Sequence, residues 1–123
     1  MEFDLLSKRV IGCAIEVHRG LGPGLLESSY EQCLAYELSM AGIEFKLQHP
    51  LPIEYKGIKL DCGYRVDVLV ANSIILELKS VNVLLGIHHA QLLTYMKLAD
   101  IKTGLLINFN VQQLKSGIKR IVL

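Results

Sequence analysis

Asp67, Glu77 and Lys79 place two acids and one base within a short stretch of this chain. Two carboxylates brought within one strand spacing repel unless something positive lies between them. A lysine ammonium offsets part of that charge, and a divalent cation offsets more. Mg²⁺ prefers oxygen ligands and keeps several of its waters, so two carboxylates and a main-chain carbonyl suffice to hold it. Such a group supports metal-assisted activation of water next to an anionic centre.

Whether the two acids meet depends on the turn at Ala71-Asn72-Ser73. A two-residue loop would set Glu77 opposite Val66, among the valines. A three-residue loop puts Val66, Val68 and Val70 on one face with Ile74, Leu76 and Leu78. A one-residue slip would turn every side chain over, so the apolar pattern selects the longer loop. The other face then carries Arg65, Asp67 and Leu69 opposite Lys79, Glu77 and Ile75, with Asp67 facing Glu77. Opposed β-carbons lie about 4.5–5.5 Å apart. The competing reading is an exposed sheet face with salt-bridged charges. Against it, the segments that follow are expected to cover part of that face.

Those segments can be read from their periodicity. Residues 4–18 carry Leu5, Val10, Ile11, Ala14, Ile15 and His18 at helical spacing, and Gly20-Leu21-Gly22-Pro23-Gly24 is expected to break the helix. A second helix is expected over residues 25–41, with Gly42 as its C-terminal glycine. From Ile43 the period becomes two. Strands are expected at 49–55 and 58–61 around Lys56-Gly57, then at 64–70 and 74–79. Helical spacing returns over 86–99, a fully buried strand is expected at 102–109, and a short strand at 118–123. The helix between the strands at Ile74 and Leu105 forms a β-α-β crossover, expected to be right-handed with those strands parallel.

The ordered motifs resemble a known family. Asp67, nine residues, then Glu77-Leu78-Lys79 resembles the PD-(D/E)xK nuclease signature. Gly24-Leu25-Leu26-Glu27-Ser28-Ser29-Tyr30 resembles the motif that names the GxxExxY proteins, a group within that superfamily. Glu16-Val17-His18, Leu60-Asp61-Cys62-Gly63, Ala90-Gln91-Leu92-Leu93 and Leu105-Leu106-Ile107-Asn108-Phe109 extend the similarity over nearly the whole chain. The resemblance implies an α/β, restriction-endonuclease-like core: a mixed β-sheet flanked by helices, with two N-terminal helices and the crossover. It implies Mg²⁺, with Mn²⁺ as a substitute, and hydrolysis of phosphodiesters in DNA or RNA. It makes Asp67, Glu77 and the Leu78 carbonyl metal ligands, and Lys79 the group that orients water or stabilises charge on the phosphate. Glu27 would contribute from the second helix and Gln91 from the third. Val66 stands where the superfamily has a proline before the aspartate. A cation that polarises the phosphodiester, with an ammonium beside it, needs no covalent intermediate.

Other residues are bounded by ordinary roles. Tyr30 lies three residues after Glu27 on one side of the second helix, and reads as a core residue whose hydroxyl seeks a partner. Gln91 and Tyr95 share a helix face; they can support the site or form a surface pair. We take Tyr30 and Tyr95 as neighbours of the site. His88 and His89 are adjacent and point about 100° apart on a helix, which disfavours joint ligation of one ion. Gly22-Pro23-Gly24 lacks the strand and Gly-Lys-Ser/Thr of a phosphate-binding loop.

The 123 residues suggest a single domain over 1–123, and 51% hydrophobic residues argue against disorder. So apolar a small domain is expected to bury some surface in a homo-oligomer. A net charge of +1 excludes a protein that coats nucleic acid through bulk positive charge, leaving local contact. Cys13, Cys33 and Cys62 are widely spaced and odd in number, which fits a reducing compartment. No targeting or membrane-spanning segment is expected, and a cytoplasmic location follows. The alternative to a nuclease is a non-catalytic nucleic-acid-binding or oligomeric accessory module that keeps the fold.

Overall fold

The computed structural model describes residues 4–123. Helix α1 spans Leu5–Leu21 and α2 spans Glu27–Met40. Strands follow at β1 (Phe45–Pro50), β2 (Ile53–Tyr55), β3 (Ile58–Leu60), β4 (Arg65–Val70) and β5 (Ile74–Lys79). Helix α3 (Gly86–Ala99) leads to β6 (Thr103–Asn108), a short 3₁₀ turn, and β7 (Ile118–Val122). The main sheet runs β1-β4-β5-β6-β7 and is mixed: β5 and β6 are parallel, the other neighbours antiparallel.

Two apolar layers sandwich this sheet. One joins α1 and α2, through Val10, Ala14, Tyr30, Leu34 and Leu38, to Val68, Val70, Leu76, Leu78, Leu105 and Ile107. The other joins α3, through Leu92, Tyr95 and Met96, to Leu69, Ile75 and Leu106. Gly104 makes the second contact close. A β-carbon there would sit 2.6 Å from Met96 Sδ and 3.1 Å from Leu92.

Ends of elements follow local chemistry. Asp4 caps α1 by accepting the Ser7 N–H at 2.8 Å and pairs with Arg120 of β7 at 2.9 Å. That first bond, with the Ser7 hydroxyl and Arg120, holds the Asp4 pKa down at about 2. Helix α1 does not stop before Gly20 as the glycine count suggested. It passes through Gly20 and ends at Gly22, whose φ of 71° and N–H bond to the His18 carbonyl close it. A glycine inside a helix costs only about 1 kcal/mol, whereas a left-handed glycine followed by proline ends it.

Three strand expectations change. The period-two stretch after Ile43 begins with a separate edge strand, β1, rather than one strand over 49–55. Leu51 still donates to the Tyr64 carbonyl, but Pro52 has no N–H to continue the ladder. The chain leaves the sheet there, and β2 and β3 form their own hairpin around Lys56-Gly57, both at positive φ. Finally, Val66 does not share a layer with Val68 and Val70. It packs with Leu69 and Ile75 on the α3 side. The alternation of β4 breaks at Asp67, opposite Gln48 of β1, whose φ is 49°.

Candidate active site

The β4–β5 turn holds three residues. Val70 pairs with Ile74, Leu69 with Ile75 and Val68 with Leu76. Ala71 and Asn72 both have positive φ, and Ser73 donates to the Val70 carbonyl at 2.8 Å. This register carried one step further would pair Asp67 with Glu77, but the regular ladder ends at Val68 and Leu76. Side chains take over. Asp67 Oδ2 accepts the Leu78 N–H at 2.8 Å, and Glu77 Oε1 accepts the Asp67 N–H at 3.3 Å. Each acid thus holds the other strand's main chain across a gap between β4 and β5.

Leu78 follows from that gap. Its N–H is directed to the β4 side, and in a strand the N–H and C=O of one residue share an edge. The Lys79 carbonyl, one residue on, points the opposite way and accepts the Phe109 N–H of the chain leaving β6. The Leu78 carbonyl therefore faces the gap that holds the Asp67 carboxylate.

Charge at this gap is concentrated. Glu77 is only 5% exposed. Burial first, and then the Asp67 charge, push its pKa up to about 8, with Lys79 drawing it partly down. A carboxylate in this state lacks compensating positive charge. The donor set, two carboxylates and a carbonyl, is the hard-oxygen kind that suits Mg²⁺ or Mn²⁺. Among the described residues, no three His, Cys, Asp or Glu side chains gather to enclose a metal by themselves. A cation here would rely on the carbonyl and on water.

The remaining candidates sit around this centre at different depths. Glu27 is exposed in the first turn of α2, and its Oε2 accepts the Ser80 N–H at 3.3 Å, next to Lys79. Gln91 donates to the Tyr95 hydroxyl at 3.0 Å. Burial and then the Glu77 charge raise the Tyr95 pKa, and the Gln91 bond lowers it. Tyr30 bonds the loop before α2 instead. It is fully buried, stacks on Phe109 with ring centres 4.3 Å apart, donates to the Gly22 carbonyl at 2.6 Å and accepts the Leu25 N–H at 3.1 Å. It latches the glycine-rich loop that sets where α2 begins. His88 is a helix-start residue, accepting the Leu85 N–H at 3.0 Å.

Two residues escaped the sequence reading. Glu31 lies one helical turn beyond Glu27. It accepts from Gln48 Nε2 at 2.6 Å, and that amide also reaches Asp67 Oδ1 at 3.5 Å. Burial raises the Glu31 pKa, the Gln48 bond lowers it, and the Asp67 charge raises it. The i, i+4 spacing of Glu27 and Glu31 was the available signal for one of them. Recognising Phe45–Pro50 as a strand beside β4 would have found Gln48.

A PD-(D/E)XK nuclease superfamily model matches residues 4–121. The chain belongs to this superfamily. The match spans both N-terminal helices, the split hairpin and the crossover, and the mixed sheet between helices agrees with a restriction-endonuclease-like fold. No curated protein and no solved structure matches the chain. Membership of the PD-(D/E)XK nucleases points to nuclease-type activity in general. No helix among the described residues is long and apolar enough to cross a membrane.

Proposed function

We propose that this PD-(D/E)XK protein hydrolyses phosphodiesters of DNA or RNA with Mg²⁺, or Mn²⁺ in its place, held by Asp67, Glu77 and the Leu78 carbonyl. The observation that carries the reading is the exchange between Asp67 and Glu77 across the opened ladder. It gathers two carboxylates and a carbonyl at a point where main-chain pairing would otherwise continue. When bound, the cation would supply charge neutralisation and a more acidic water. The protein's own groups do the rest. The Leu78 N–H fixes one Asp67 oxygen, and the Gln48 amide reaches the other at 3.5 Å. The Asp67 N–H orients Glu77 in the same way. Lys79 is a positive point charge at the end of β5, beside the position of the scissile phosphate. Glu27, through Ser80, steadies that strand end, and Gln91 steadies the Tyr95 hydroxyl.

Exposed Leu26, Val83 and Leu85 support assembly of like chains, and a soluble, cytoplasmic setting suits free cysteines. A net charge of +1 favours a second reading, an accessory module that binds nucleic acid without cutting it. Incubation with mixed DNA and RNA oligonucleotides in Mg²⁺ or Mn²⁺ separates the two. Cleavage that stops with chelator and in Glu77→Ala supports the nuclease. Cleavage that persists in Glu77→Ala refutes the assigned site, and binding without cleavage leaves the accessory module.

A further inference from the structure

A groove of about 290 Å³ runs between α3 and the segment preceding β4, with Tyr64 in its wall three residues before Asp67. Ile53, Tyr64, Ile87, Gln91, Thr94 and Tyr95 line it. The Tyr64 and Tyr95 rings meet edge to face, 6.3 Å apart at an interplanar angle of 62°. Tyr95 is the buried ring of the pair, at 8% exposure, and Tyr64 is the open one, at 44%. Gln91 and Thr94 add an amide and a hydroxyl to otherwise apolar walls. The volume lies at the small end of ligand sites, which suits one ring system rather than a duplex.

We propose that this groove receives one unpaired base of the substrate strand next to the scissile phosphate, so that the protein acts on single-stranded nucleic acid or on unpaired segments. The inference rests on the nuclease reading and adds its substrate class. A base is flat and apolar on its faces and polar at its edge, matching aromatic walls with a Gln and a Thr. Base stacking also gives affinity that does not depend on charge. A chain of net charge +1 needs such a source, because phosphate contacts alone dominate only where basic residues are plentiful. Arg65, exposed beside Tyr64, extends the path from the acids toward the next phosphate.

The test uses the full chain in two assays. In the first, inactive Glu77→Gln protein is titrated with a fluorescent single-stranded oligonucleotide and its duplex, with and without Tyr64→Ala. The expected result is preference for the single strand and roughly tenfold weaker single-strand binding with Tyr64→Ala, the loss of one stacking contact. In the second, protein with intact acids cleaves oligonucleotides with and without an abasic position beside the cut. Removing the base should slow cleavage roughly tenfold in the parent protein and have little effect in Tyr64→Ala. Equal binding of duplex and single strand, or an abasic effect unchanged by Tyr64→Ala, overturns the proposal. So does a Tyr64→Ala change in molecular mass in solution, which would make the groove a contact with a second copy. Absence of cleavage together with Tyr64-dependent single-strand binding would instead count against the nuclease reading and leave the base groove standing.

Discussion

Asn108, the last residue of β6, grips both main-chain groups of Val81. Its Nδ2 donates to the Val81 carbonyl at 2.9 Å, and its Oδ1 accepts the Val81 N–H at 3.1 Å and the Asn110 N–H at 3.2 Å. Asn108 is paired with Lys79 in the parallel register, so this buried amide continues the sheet where β5 ends. Asn108→Ala is expected to leave buried polar groups without partners, costing about 1–3 kcal/mol in urea unfolding. It should also lower kcat by roughly 10–100-fold, the scale for groups supporting a site from behind, while cation affinity changes less. Wild-type kcat in a folded Asn108→Ala protein would remove the positioning role.

The raised pKa of Glu77 sets a pH dependence. Between its ordinary 4.5 and about 8, the folded, cation-free protein keeps a proton that the unfolded chain releases. Stability of the cation-free protein therefore falls as pH rises through that window. Cation binding must displace the same proton, so affinity should rise about tenfold per pH unit below about 8 and level off above. Calorimetric titration with Mn²⁺ across this range measures the slope. Glu77→Gln should abolish the stability trend and bind the cation poorly; a pH-independent affinity in the parent protein would contradict the assignment.

Glu31 and Gln48 form the side of the site toward α2. Gln48→Ala removes the amide that bonds Glu31 and reaches Asp67, leaving two acids facing each other without it. We expect the Glu31 carboxyl to titrate at still higher pH, which carbon-detected NMR can follow. Cleavage should fall by roughly tenfold, on the scale of supporting groups. An unchanged Glu31 titration would mean that the 2.6 Å contact contributes little.

Gly104 tests the packing of α3 on the sheet. Valine there would push into Met96 Sδ and Leu92, so overpacking is expected to cost about 1–3 kcal/mol and lower the melting temperature. Because α3 also carries Gln91 and Tyr95, its displacement should weaken single-strand binding as well. A Gly104→Val protein as stable as the parent would show that α3 can shift without penalty.

The register of the β4–β5 hairpin was legible because side-chain direction in a strand has period two. Burying Val68, Val70, Ile74, Leu76 and Leu78 together leaves only one loop length. The same rule failed at Val66, where the strand breaks alternation at the residue that carries the acid. Local pattern cannot register that break, because it depends on β1 and on the positive φ of Gln48 across from Asp67. Helix α3 was legible over 86–99, while α1 ran past Gly20 because a single glycine is a weak stop.

By itself, the sequence determined the family and the hairpin register, and with them that Asp67 and Glu77 would approach each other. Both depend on local spacing and on the order of motifs. Tertiary structure decided the chemistry between the acids. It opened the ladder so that each carboxylate bonds the other strand, buried Glu77 enough to raise its pKa, and brought Glu31, Gln48 and Asn108 to a centre they are distant from in sequence. Burial and long-range neighbours set an ionisable group's charge state, and no linear pattern contains them.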